Sequence, residues 1–470
     1  MPEPASERGE VARRGRSRGI LYSGPALLVA FAFAVMADPV SSVAYAIEAA
    51  LRALDGDLGL LLPTMALVVL VVALVIANYH QLVARFPEGG GAAAAAGAAF
   101  GEGWAFIPIG ALIVDFVLTI AISVSAAASA AIAYLPGLAP WRVPLAVVVV
   151  TAVAAITWFG HLGRAVFAIM TIAFVGLCLV VLAGGLTVTP VETTTSPAGS
   201  ATGSLAFVAV LLAFPVAMAL ATGVEAPSSA IAQLGQLDNA GRRRFGRITL
   251  WLTLGIVGVI TLGLTGVAVR LGIGIPSPDS TQIANIANAS VGPRLFALFQ
   301  LFTALLLLAA ASSSFQAGPG LLKALAMRTH VGGEQSGILH HRMGQSNRHH
   351  TPYWAVLVFL GVSVAVVVAA GAQDQELVLF YAVSVFMSFF VGLVAMAKFE
   401  REERRRGAMV VSIVGAVVIG FTLLVNLLRG YPIVSLAAAT IIAAALYWLW
   451  SRAGRPRGIA QAIIEAESDG

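Results

Sequence analysis

Apolar runs of about 20 residues recur along the whole chain, separated by short polar segments. A helix of that length crosses the roughly 30 Å hydrocarbon core of a bilayer. The runs predict helical spans near 25–54, 58–84, 102–134, 141–160, 162–187, 204–234, 248–271, 294–317, 353–371, 376–398, 408–428 and 432–451. The expected fold is an all-α polytopic membrane protein with about 12 transmembrane helices. Only Gly160-His161-Leu162-Gly163-Arg164 marks the boundary between the fourth and fifth spans.

Two of these runs carry an interruption of the same kind. The first span contains Ala37-Asp38-Pro39-Val40-Ser41-Ser42-Val43-Ala44-Tyr45, an acid followed at once by a proline. Asp38 there costs about 2.5–3.5 kcal/mol at the bilayer centre unless something compensates it. Pro39 lacks an N–H and disfavours helical backbone at Asp38, so built-in unwinding is expected. The sixth span contains Ala221-Thr222-Gly223-Val224-Glu225-Ala226-Pro227-Ser228-Ser229, again small residues, an acid and a proline. Non-helical backbone at membrane depth is tolerated where it is buried in protein or lines a watery cavity. Paired breaks five spans apart predict a 5+5 inverted repeat with a binding site at the midplane. The spans at 408–451 are then two extra C-terminal helices. Two kinked helices with snorkelling acids are the plainer alternative, and the distance of both acids from the span ends opposes it.

Further polar residues fit the same site. Asp115, Thr119 and Ser123 recur every four residues in the third span and share a face. Tyr381, Ser384 and Ser388 form a stripe in the tenth, as do Asp38, Ser41, Ser42 and Tyr45 in the first. Ser228, Ser229 and Ser388 also suit ordinary helix–helix packing. The spans carry Asp38, Asp115 and Glu225 but no Lys or Arg in their interiors, which suits a cation site. Like-charge repulsion among three carboxyls favours a proton on at least one, so they equally suit a proton site.

Composition and charge refine this picture. The chain is 59% hydrophobic and 11% charged, against roughly 25% charged in soluble domains. Its net charge of +5 sits in short loops and tails, as membrane topology requires, and not in a nucleic-acid footprint. With every span crossing, 23 of the 28 Lys and Arg fall on the side of the N-terminus and 5 on the other. That split predicts a cell-membrane protein with both termini cytoplasmic. The Arg-rich tail before residue 25 leads into a retained first span, longer than a secretory signal. The Arg clusters at 242–247 and 401–406 favour anionic headgroups of the lipid bilayer. Cys178 is the only cysteine, so it forms no internal disulfide and fills core space. Five histidines, His330, His340, His341, His349 and His350, crowd one loop rich in glycine. They lack the repeated helical spacing of a di-iron oxidase, so no transition metal, no cofactor and no catalytic residue is expected. A structural scaffold would have no use for buried carboxyls in broken helices.

At these motifs the chain resembles the amino acid–polyamine–cation (APC) superfamily, with its LeuT-like fold, and within it KimA-like potassium–proton symporters. The family motifs read approximately SDALSSVAY, LDYTLTVAVSVS and LTGVEAIS. Here they are ADPVSSVAY at 37–45, VDFVLTIAISVS at 114–125 and ATGVEAPS at 221–228. FPEGGG at 86–91 and LFYAVSVF at 379–386 also match in character. The resemblance covers roughly 25–400. It implies repeat one at 25–187, repeat two at 204–398 and extra helices at 408–451. The transporter domain is then 21–451, between cytosolic tails at 1–20 and 452–470. It further implies cation contacts from Asp38, Tyr45, Asp115, Thr119, Ser123, Thr222, Glu225 and Tyr381, with Glu225 or Asp115 carrying a coupled proton. The implied function is proton-coupled symport of potassium or another monovalent cation. The alternative is an amino acid or amine permease of the same fold, although Asp38 would repel a substrate carboxylate. The family tyrosine after the third-span aspartate is Phe116 here, and Pro39 and Pro227 also depart from the pattern. The large cytosolic C-terminal domain of those symporters has no counterpart in the sequence. Nucleotide regulation and dimerisation through it are therefore not implied, though a homodimer remains compatible with the chain.

Overall fold

A computed structural model describes residues 24–159, 163–189, 204–326, 337–430, 432–456 and 458–459. The basic tail at 1–20, His161, His330 and nearly all of the tail after 456 lie outside the described residues.

The expected runs are helical where they are described, and among the described residues ten helices are long and apolar enough to cross a membrane. Span two is Leu58–Arg85, span three Phe106–Tyr134, span four Arg142–Phe159 and span five Arg164–Thr187. Span seven is Asn239–Arg270, span eight Pro293–Ala326, span ten Asp374–Glu402, span eleven Arg406–Leu428 and span twelve Ile433–Arg452. Span nine, Tyr353–Ala369, is shorter at 17 residues. Span one is divided into Gly24–Val35, Ala37–Ser41 and Val43–Ala53, and span six is broken after Ala217. Two helices were not foreseen from the sequence, Gly91–Phe100 and Gln282–Ser290. The first is an alanine-rich stretch too short to read as a span. Side-chain caps start several helices: Asp57 accepts from Gly59 N at 2.9 Å and Asp238 from Gly241 N at 2.8 Å. Each such cap contributes about 1 kcal/mol.

Span three is the central helix. Its most apolar stretch is 72% buried, against 28% for spans eleven and twelve, which lie at the periphery. It packs chiefly on spans eight, ten and twelve. The outward faces of the bundle expose large apolar side chains such as Leu70, Val148, Phe159, Ile169, Val417 and Ile441. Exposed apolar surface of that extent is what a helix bundle presents to lipid.

The two breaks differ in kind. In span one the chain remains helical through Asp38, and the expected unwinding there does not occur. A new turn starts at Ala37 after Met36 (φ −78°, ψ 0°). Pro39 therefore falls in a first turn, where an N–H has no intrahelical partner anyway. Regular helix is thus interrupted at Met36 and again at Ser42. Span six does unwind. After the 3₁₀ turn Met218–Ala221, Thr222 is extended at φ −54°, ψ 131°, and Gly223 has φ +70°. Helix resumes only as the single turn Ala226–Ala230.

Candidate functional site

The two breaks touch each other. A Cβ added at Gly223 would lie 2.6 Å from Asp38 Oδ2 and 2.7 Å from its Cγ. Only a glycine lets the span-six backbone come so close to the Asp38 carboxyl, and its positive φ favours glycine as well. Ser42 ties the same two segments: its hydroxyl reaches Pro39 O at 2.7 Å and Leu220 O at 3.2 Å. Tyr45, one turn further along span one, lies close to the Thr222 side chain. The Thr222 hydroxyl itself donates to Ala219 O at 2.6 Å, capping the carbonyl end of the 3₁₀ turn. The hydroxyls of Ser41 and Ser228 turn back onto Asp38 O and Glu225 O, both at 2.7 Å. At Glu225 the hydroxyl stabilises backbone outside a long helix, whereas at Asp38 it adds to a helix that continues through the acid.

Asp115, Thr119 and Ser123 lie on the inner face of span three and are 4%, 2% and 1% exposed. Glu225 is within electrostatic range of Asp115 and Asp38, and Asp38 of Asp115. The structure thus gathers all three carboxyls with Tyr45, Thr119 and Thr222 into one region. Neither Asp38 nor Glu225 forms an ion pair with a described Lys or Arg. Asp38 Oδ1, Thr119 Oγ1 and Glu225 Oε2 are buried and have no hydrogen-bond partner among the described residues. Buried acceptor oxygens of this kind are costly unless a cation or proton satisfies them. Tyr381 is on span ten, which packs against span three, but its side chain lies outside the described residues. Phe116 packs against apolar clusters that include Phe106, Ile109 and Trp450.

Residues that the sequence reading passed over complete the surroundings. Tyr79 of span two is 1% exposed, packs edge-on to Phe389 with centroids 5.7 Å apart, and lies within electrostatic range of Glu225. Its hydroxyl has no described partner. In an apolar helix its signal was that of a packing aromatic. The FPEGGG loop also gains a role. Gly89, Gly90 and Gly91 all have positive φ, and a Cβ at Gly91 would lie 3.3 Å from Ser229 Oγ and 3.4 Å from Ser228 Oγ. The loop braces the short helix that follows Glu225.

A polar lattice closes one end of the bundle. Arg142, 8% exposed, donates to Ser129 Oγ at 2.7 Å and Pro278 O at 2.6 Å. Ser129 in turn donates to Asp374 Oδ1 at 2.7 Å. Gln375 Nε2 reaches Asp374 Oδ2 at 3.0 Å and Tyr45 O at 3.4 Å. Glu48, 3% exposed, accepts from Gln282 N at 3.0 Å and pairs with Arg52 at 2.8 Å. These bonds join spans one, three, four and ten to the Gln282–Ser290 helix. On span one they engage Tyr45 O and Glu48, both C-terminal to Asp38.

An amino acid permease family model matches residues 27–450. The potassium transporter KimA of Bacillus subtilis (strain 168) is 29% identical over 371 residues. That match spans 76% of this chain and 59% of KimA. Solved structures of a manganese transporter of Eremococcus coleocola are similar to the chain, among them the following two. One, of a mutant, has a TM-score of 0.49 and 15% identity, covering 92% of this chain and 96% of the other. The second, in complex with an aromatic bis-isothiourea substituted compound, has a TM-score of 0.49 and 13% identity, covering 97% of each chain. The model match over nearly the whole helical region carries the assignment: the chain belongs to the amino acid permease family and is a multi-pass membrane transporter of the APC type, not an enzyme.

Proposed function

We propose that the protein is a proton-coupled symporter of a small monovalent cation such as potassium, and that the solute binds where the breaks of spans one and six meet span three. The observation that carries this reading is the placement of Asp38 directly against Gly223, with Asp115 and Glu225 in electrostatic range. Carboxylate, hydroxyl and freed carbonyl oxygens are hard ligands that suit a partly dehydrated alkali cation. The unpartnered oxygens of Asp38, Thr119 and Glu225 support such a ligand set. Tyr45, Ser123, Thr222 and Tyr381 are the further proposed contacts. The likeness to a potassium transporter points the same way. Glu225 or Asp115 carries the coupled proton, because clustered carboxyls repel one another when all are ionised, which favours a proton on one of them. Twelve crossings, cytoplasmic termini and a place in the cell membrane belong to the same reading, on the charge asymmetry of the loops.

The family name supports a second reading, an amino acid or amine permease. An amine would suit Asp38; a substrate carboxylate beside it would be repelled. Uptake into proteoliposomes with an imposed pH gradient separates the two. Rubidium is compared with a panel of amines and amino acids. The proposal expects rubidium uptake driven by the proton gradient. Amino acid uptake with no rubidium flux would sink it.

A further inference from the structure

Near its end span two carries Asn78-Tyr79-His80-Gln81, a polar run in a largely apolar helix. Asn78 is fully buried, and its Nδ2 donates to Ser412 Oγ of span eleven at 2.8 Å. That hydroxyl donates in turn to Glu400 Oε2 of span ten at 2.7 Å. Glu400 is 1% exposed. Three helices therefore meet at one carboxyl, well along span ten from Ser384 and Ser388.

The donors and acceptors of this cluster do not balance. Ser412 uses its one proton on Glu400 and its acceptor on Asn78. Glu400 Oε1 and Asn78 Oδ1 are both buried, and both are acceptors without a described donor. A carboxylate buried with one neutral donor is costly, by several kcal/mol in effective terms. The described charges that act on Glu400 are Arg405 and Glu403 in the turn that follows it. Glu403 is itself bonded to Arg85 of span two and lies 3.9 Å from Arg405. On span ten, Lys398 lies 4.0 Å from Glu402 and donates to Ala99 O. Asn78 and Ser412 are neutral. No described basic group is bonded to Glu400.

We propose that the Asn78–Ser412–Glu400 cluster is a proton-binding site, separate from the broken helices, in which Glu400 carries the proton on Oε1. A proton is favoured over a metal cation because the cluster leaves only two acceptors unused, far short of a coordination shell. One proton supplies the donor that the cluster lacks, while Oε2 goes on accepting from Ser412. In this state the carboxyl is neutral, and spans two, ten and eleven are held together without a buried charge. Loss of the proton leaves a carboxylate between them and loosens the end of span ten. Span ten also packs on span three and on the span-six break. The site therefore makes the packing of that helix sensitive to pH on the side that the loop charges assign to the cytoplasm.

Infrared difference spectra of the purified full-length protein, taken between acidic and alkaline pH, test this through the C=O stretch of protonated carboxyls. Glu400→Gln should abolish one such band and keep the amide bands. Gln keeps an acceptor for Ser412 and is a neutral donor at its other atom, so it mimics the protonated acid. Ser412→Ala should move the same band to higher frequency, because the carbonyl loses its hydrogen bond. Asp38→Asn and Glu225→Gln should leave that band in place. A Glu400→Gln spectrum identical to the wild type overturns the proposal. So does a band that vanishes when potassium replaces choline at constant pH, since the ligand would then be a metal cation. If Glu400→Gln does not fold, an unshifted band in Ser412→Ala is equally decisive against it.

Discussion

Gly223→Ala places the heaviest demand on the proposed site. The added methyl would sit 2.6 Å from Asp38 Oδ2, 2.7 Å from Cγ and 2.9 Å from Cβ. Carbon and oxygen atoms do not approach so closely without displacement, so either the carboxyl or the span-six backbone moves. Overpacking of this sort costs about 1–3 kcal/mol. The backbone at φ +70° adds about 1–2 kcal/mol for a residue with a Cβ. The sum, about 2–5 kcal/mol, opposes the geometry that brings Asp38 against the break. At 1.4 kcal/mol per factor of ten, the lower end already reduces the competent population about 30-fold. The assay is rubidium uptake into proteoliposomes under a pH gradient, with the melting temperature of each variant as a control. Gly91→Ala is the comparator. It also has a positive φ (+46°), but its methyl meets only the hydroxyls of Ser229 at 3.3 Å and Ser228 at 3.4 Å, contacts that a small shift relieves. Its uptake should fall by less than about tenfold, the strain alone being about 1 kcal/mol. Equal uptake by Gly223→Ala and wild type would refute the reasoning, as would equal losses in the two variants.

Three further outcomes follow from the geometry. Ser42→Ala removes the hydroxyl that reaches Pro39 O and Leu220 O, and should lower stability by about 1 kcal/mol in a thermal melt. Arg142→Ala breaks the lattice through Ser129 to Asp374 and should cost about 1.5–3 kcal/mol, read as a lower melting temperature than Arg142→Lys gives. Phe116→Tyr restores the family residue, yet its ring packs among apolar side chains, so the rubidium concentration giving half-maximal uptake should not change.

The spans were legible because a bilayer imposes a length and a composition that leave a strong periodic signal. The breaks were legible because an acid and a proline within a membrane helix are costly enough to need a reason. What the sequence misjudged was the consequence of Pro39. Its missing N–H predicted unwinding, but a helix that restarts at Ala37 puts the proline where no donor is needed. The unwinding falls instead at Thr222 and Gly223, where no proline stands and a positive φ is required. The short Gly91–Phe100 helix escaped notice because ten residues, all Gly or Ala but Phe100, are too few to span and too uniform to show a face. Tyr79 and Asn78 escaped because their partners, Glu225, Ser412 and Glu400, are remote in sequence. Only the fold brings a residue of span two to the end of span ten.

The most direct test of the proposed mechanism is proton-driven rubidium uptake by wild type, Asp38→Asn and Glu225→Gln in the same proteoliposome preparation. The site proposed here predicts uptake by the wild type that scales with the pH gradient. It predicts none by Asp38→Asn, and uptake by Glu225→Gln that no longer responds to the gradient. Gradient-driven uptake that survives intact in both variants would contradict it.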